Sequence, residues 1–138
     1  MTASPVKVIL DTNIIISGIG FGGKPREILH LITEDEIKVV TSSILIAELE
    51  DVIAKKFQKL SDDFNLIKDQ IKSKFEIVKP EKSLFIVRDE DDNRVLEAAL
   101  EGRCNYIVTG DKDLLNLKTF KNIKIMRPDE FLKSLEIS

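Results

Sequence analysis

Four acids stand where a carboxylate is unfavourable to place. Asp11 follows the apolar run 6–10 (VKVIL), and Asp111 lies just past a second run, 105–109 (NYIVT). In an open α/β sheet, ligands gather beyond the carboxyl ends of the strands, so both strand ends would present an acid toward one edge. Glu48 has Leu45, Leu49 and Val52 at −3, +1 and +4, which sets it on or beside the apolar stripe of a helix. Glu50 and Asp51 are alternatives, because Ile46 and Ile53 widen that stripe. Asp92 precedes Val95, Leu96 and Ala99 by three, four and seven residues. It therefore shares their inward face, in a first turn whose positive end favours an anion. A buried carboxylate is costly unless it is paired or binds a metal. Mg²⁺ and Mn²⁺ prefer oxygen ligands, and convergent carboxylates can hold one or two such ions. Two ions roughly 3.5–4 Å apart can activate a water, orient a phosphate and stabilise the leaving oxygen of an in-line displacement, without histidine or a covalent nucleophile.

Each acid alone has a plainer reading. Asp111 reads as a helix N-cap ahead of KDLLNL, Asp11 as a turn residue, and Asp89, Glu90 and Asp91 as a solvated charge run. The turn reading is weaker for Asp11, because Asp11-Thr12-Asn13 runs on into Ile14-Ile15-Ile16. The four together, at strand ends and on inward helix faces, argue for metal-assisted chemistry.

The elements that would position these acids alternate. Strands are expected at 6–10, 37–40, 76–80, 105–109 and 122–126, with 83–87 (SLFIV) as a further extended piece. Helices are expected at 24–36, with Pro25 in the first turn, then at 43–57, capped by Thr41, Ser42 or Ser43, and at 61–75. Further helices are expected at 91–102, closed by Gly102, at 111–117, and at 128–136 with Pro128 at the start. This order predicts a three-layer α/β/α sandwich with a mainly parallel sheet. The 138 residues fit a single domain, 1–138, with no boundary or repeat.

Composition narrows the chemistry further. The single histidine, His30, reads as a partly buried helical residue, so histidine-built metal sites and most Ser-His-Asp chemistry lack material. Cys104 is alone, which excludes an intrachain disulfide and a cysteine zinc site and suits a reducing cytoplasm. No segment resembles a signal peptide or reaches the roughly 18 apolar residues of a membrane span. A net charge of −3 argues against broad, non-specific coating of DNA, though not against a nuclease whose acidic site is reversed in charge by bound cations.

The stretch 18–25 (GIGFGGKP) matches two phosphate-binding patterns by spacing. The Rossmann turn needs its glycines directly after the strand, yet seven residues separate Leu10 from Gly18, and no acid ends the second strand. The P-loop needs Ser or Thr after the lysine, and position 25 is Pro. The glycines are expected to form a flexible loop before a helix, from which Lys24 and Arg26 could touch a phosphate backbone.

VILDTNIIISG, TSSILIAELEDVI, DEDDNRVLEAALEG and YIVTGDKDLL, in this order over nearly the whole chain, resemble the PIN domain, a metal-dependent ribonuclease fold. In length and wording the chain is most similar to stand-alone PIN proteins that act as the toxins of toxin–antitoxin pairs. The resemblance implies Asp11 as the first metal ligand, Glu48 as the second-helix acid, Asp92 as the acid opening the later helix, and Asp111 completing the site. It implies hydrogen-bonding support from Asn13 and Thr109. Asp113 is a spare carboxylate, expected to cap a helix start. The activity so implied is that of an Mg²⁺- or Mn²⁺-dependent endoribonuclease on single-stranded RNA, with an antitoxin partner and a homodimer. Lys55, Lys56 and Arg94 join Lys24 and Arg26 as candidate phosphate contacts, against a plainer reading as solvated surface.

Two other classes compete. Asp11 at a first-strand end would suit a phosphatase or phospho-acceptor domain, although the dehalogenase-type pattern wants an acid at position 13, which is Asn. A non-catalytic RNA-binding scaffold would bind RNA without metal or cleavage. Helices 43–57 and 61–75 could offer a dimer or antitoxin surface, or simply pack into the core.

Overall fold

The computed structural model describes residues 5–136. The elements run β1 (Lys7–Leu10), α1 (Thr12–Gly20), α2 (Gly23–Thr33), β2 (Lys38–Ser42), α3 (Ser43–Lys56), a 3-10 turn (Gln58–Leu60), α4 (Ser61–Lys74) and β3 (Glu76–Val78). They continue with α5 (Glu90–Glu101), β4 (Tyr106–Val108), α6 (Lys112–Leu117), β5 (Thr119–Phe120), β6 (Ile123–Met126) and α7 (Pro128–Glu136). One sheet takes the order β3-β2-β1-β4-β6-β5. Every pairing is parallel except β5 with β6.

Neighbouring residues of the central strands feed two separate cores. Val8, Leu10, Val39 and Val108 pack against α1 to α4 and α7 through Ile14, Ile28, Leu49, Phe64 and Phe131. Ile9, Val40 and Ile107 face the other way, onto Leu45, Leu96 and Leu114. Successive side chains of a strand point to opposite faces, so a sheet buried on both faces reads as a continuous apolar run. The result is the expected three-layer α/β/α sandwich with a mainly parallel sheet.

Three local expectations are corrected, for the glycine stretch, for β5 and for His30, and two others, at 83–87 and Gly102, are sharpened. The glycine stretch 18–25 is no flexible loop: Gly23 opens α2, and Gly18 and Gly20 lie at the end of a helix, α1, over 12–20. Its glycines suit close packing: a Cβ on Gly18 would stand 2.5 Å from Leu29 Cδ1, and one on Gly20 would stand 2.6 Å from Leu60 Cδ1. Burial of Ile14, Ile15 and Ile16 outweighs the weak helix propensity of glycine. Residues 83–87 form no strand; side chains of α5 hold them as a loop. Gly102 ends α5 with an ordinary φ of −80°, and Arg103, at φ 54°, takes the left-handed position instead. Glycine is needed at 102 for approach, since a Cβ there would lie 2.6 Å from Val40 Cγ1. The short strand β5 was not expected; the Lys121-Asn122 turn joining it to β6 has φ of 50° and 69°, which suits a two-residue hairpin. His30 is exposed on α2 and not partly buried.

Candidate metal centre

Three helix starts meet at the carboxyl ends of β1 and β4, and each is capped by an aspartate. Asp11 caps α1, accepting from Asn13 N. Asp89 caps α5 through Asp91 N, and Asp111 caps α6 through Asp113 N. A carboxylate at a helix N-terminus satisfies a free backbone donor and meets the positive end of the helix dipole. Backbone bonds lace the two strand ends together, with Asp11 N donating to Val108 O at 3.0 Å.

Thr109 is completely buried and links two of the acids. Its Oγ1 donates to Asp11 Oδ2 at 2.8 Å and accepts from Asp111 N at 3.0 Å. Asn13 contributes its backbone N–H to Asp11 Oδ1 at 3.3 Å, while its side chain is exposed. Asp92 lies in the first turn of α5 on the inward face, buried as its spacing implies. One ligand oxygen from each of Asp92, Asp111 and Asp113 lies within 4.8 Å of the others. Asp113 is thus not the cap of α6, a part taken by Asp111, but a third carboxylate in the cluster. Asp11 and Glu48 lie outside that tight trio; the charge of Asp111 acts on Asp11, and that of Asp11 acts on Glu48.

The charges in this cluster are uncompensated. Burial pushes Asp92 up to about 8, and Asp111 adds to the shift through a shared proton and through its charge. Burial also raises Glu48 to about 7, helped by Asp91, Asp11 and Asp89 and opposed by a hydrogen bond from Thr12. Asp11 is raised by burial, with the bonds from Thr109 and Asn13 working against the shift. No lysine or arginine is among the groups that shift these three acids. Asp92 Oδ2 is enclosed and has no hydrogen-bond partner among the described residues. Carboxylates that repel one another, two of them buried and one with an oxygen lacking a partner among the described residues, suit a divalent ion.

The structure separates the alternatives that periodicity left open. Glu50 pairs with Lys68 of α4 at 3.3 Å, and Asp51 with Lys55 at 3.2 Å, whereas Glu48 is the α3 acid on which Asp11 acts. Of the candidate phosphate contacts, Lys24 pairs with Glu27 at 3.7 Å. Arg26 donates to Gly18 O at 2.9 Å and Ile19 O at 3.0 Å, which secures the end of α1. Arg94 bonds Glu97 at 2.6 Å and is half-buried, not solvated surface, whereas Lys56 is exposed. Sequence reasoning missed Thr12, Asn93 and Glu97, all buried. Asn93 and Glu97, four apart on a helix that buries Val95, Leu96, Ala98 and Ala99, carried a signal that could have found them.

An apolar cleft of about 360 Å³ lies elsewhere, between α1, α2 and α4, and none of the clustered acids lines it. No described helix is long and apolar enough to cross a membrane.

Comparison with known proteins agrees with this geometry. A family profile described as the PIN domain matches residues 7–113. An uncharacterised protein of Methanocaldococcus jannaschii is 33% identical over 144 aligned positions, covering 95% of this chain and 92% of the relative. A chain in the crystal structure of VapBC2 from Rickettsia felis, bound to a DNA fragment from their promoter, superposes with a TM-score of 0.60. It is 19% identical, and the match covers 87% of this chain and 97% of that one.

Proposed function

The chain belongs to the PIN-domain family, and on that premise we propose that it is a divalent-metal-dependent endoribonuclease, the toxin of a toxin–antitoxin pair. In this reading residues 1–138 form one PIN-like unit that works in the cytoplasm on single-stranded RNA. The carrying observation is the convergence of Asp92, Asp111 and Asp113, in which buried Asp92 Oδ2 has no hydrogen-bond partner among the described residues. Asp11, Glu48, Asp92 and Asp111 would hold Mg²⁺ or Mn²⁺, with Asp113 added from its place in the cluster. The ion would supply an activated water and charge stabilisation at the phosphate. Thr109 fixes the Asp11 carboxylate against rotation and ties it to the Asp111 backbone, so both acids keep their aim. Asn13 fixes the second Asp11 oxygen. Lys24 and Arg26 are exposed and are the proposed RNA-backbone contacts; two N–H groups of Arg26 are engaged, and a guanidinium has five. An antitoxin and a second copy of this chain are the proposed protein partners.

The phospho-acceptor reading is disfavoured, because both Asp11 oxygens accept hydrogen bonds within a buried site. The test is cleavage of a labelled single-stranded RNA by wild type and Asp11→Asn, with Mn²⁺, Mg²⁺ or EDTA. Wild type should cut only with metal, and the variant should stay folded but lose cleavage. Metal-dependent cutting by the variant would remove Asp11 from the site, and a phospho-aspartate trapped on Asp11 would restore the phosphatase. RNA binding without cleavage, unchanged by metal, would leave a scaffold.

A further inference from the structure

The loop between β3 and α5 presents two apolar side chains to solvent and is nevertheless held rigidly. Phe85 is 82% exposed, more than any other large hydrophobic among the described residues, and Ile86 is 48% exposed. Phe21, at 72%, packs edge-on against Phe57, whereas Phe85 has no ring partner among the described residues. On either side of the pair, Leu84 and Val87 turn inward onto the core. Buried polar groups of α5 clamp the backbone between them. Asn93 Oδ1 accepts from Ile86 N at 2.9 Å and Val87 N at 3.0 Å, and its Nδ2 donates to Val87 O at 2.8 Å. Glu97 Oε2 accepts from Leu84 N at 2.8 Å and pairs with Arg94.

Burying Asn93 and Glu97 is unfavourable unless their bonds are made. Here most of those bonds serve to fix the backbone on either side of an exposed phenylalanine. The clamp also ties this loop to the first turns of α5, because Asn93 is the next residue after Asp92. Three cations, Lys79, Lys82 and Arg88, flank the pair with Glu81 among them, and the acidic run 89–92 follows directly. Arg88 is exposed and lies next to the Asp89 cap of α5. An exposed aromatic with neighbouring cations, on a loop pinned to the helix that carries Asp92, matches how single strands are held. Bases stack on the ring, and the backbone meets the cations.

We propose that Phe85 is a stacking platform for an unpaired base of the RNA substrate, positioning the strand across the acid cluster. This rests on the ribonuclease reading above. The chain contains no tryptophan, so Phe85→Trp introduces a single fluorophore at the platform. Wild type, Phe85→Ala and Phe85→Trp are compared in cleavage of a single-stranded RNA with Mn²⁺. Phe85→Trp in an Asp11→Asn background is then titrated with the same RNA and with inorganic polyphosphate. Phe85→Ala should raise KM at least about 5-fold with little change in kcat, and Phe85→Trp should keep the wild-type KM. RNA, but not polyphosphate, should quench the tryptophan saturably. If wild type cuts RNA while Phe85→Ala retains its KM, or if RNA leaves the tryptophan unquenched, the platform is overturned and the nuclease stands. Unchanged RNA kinetics with a lower oligomeric mass in Phe85→Ala would make the pair a contact between copies. Wild type that cuts no RNA with either metal overturns the nuclease reading and the platform with it.

Discussion

Asp92 shows how far the site sets function against stability. Burial and Asp111 hold its proton to about 8, so above that pH the metal-free protein keeps a buried charge with one unpartnered oxygen. Asp92→Asn removes the charge at nearly the same volume. It should raise the melting temperature of the metal-free protein at pH 9 by a few degrees, on the order of 1 kcal/mol or more, and abolish cleavage. Near pH 5, only about one unit above the unfolded value, the gain should shrink to a minor part of this, and below about pH 4 it should vanish. Thermal unfolding in EDTA at the two pH values checks this, and an equal effect at both would show that charge is not the cause. Asp11, Glu48, Asp92 and Asp111 were legible as candidates because each stands at the end of an apolar strand or on the inward face of a helix. Asp113 was not, because its place beside Asp92 comes from two helices meeting at the sheet edge, which no local spacing records. Glu48 could be told from Glu50 only once Lys68 was seen to come from α4.

At the level of elements, the strands were plain in the sequence and α1 was not. Apolar runs bounded by polar turns mark buried strands, whereas Gly18 and Gly20 read as helix breakers. Their meaning is tertiary, since α2 and the 3-10 turn approach α1 where a side chain would stand. The strand order and the antiparallel β5 were hidden for the same reason, and the Lys121-Asn122 turn lacks the glycine that would have announced a hairpin. Gly18→Val tests the packing account. Leu29 can swing away from the added methyl groups, but the Pro25 carbonyl carbon, 3.2 Å from the added Cβ, is backbone. The variant should lose roughly 1–3 kcal/mol by denaturant titration. Because α1 begins at Asp11, metal affinity should fall with it. Unchanged stability would mean that α1 and α2 separate without penalty, and that the glycine is no packing requirement.

The whole molecule gathers acids with raised pKa values at one edge of its sheet, and this fixes the sign of its pH response. Asp92, at about 8, and Glu48, at about 7, bind protons more tightly folded than unfolded. Between about pH 4 and 8 the native state therefore carries more protons than the unfolded chain, and stability falls as pH rises through that window. Their contribution is full below the unfolded values and gone above the folded ones. A divalent ion that binds only the native state stabilises it by mass action, but must first displace those protons. Metal stabilisation should thus be small at pH 5 and grow steadily to pH 9. Melting temperatures measured across that range, in EDTA and in millimolar Mn²⁺, should give two curves that diverge with pH, the metal-free one falling. Asp92→Asn and Asp11→Asn should bring the curves together. Parallel curves, with the same stabilisation at every pH, would mean that Mn²⁺ binds without competing for these protons, and so somewhere other than this edge.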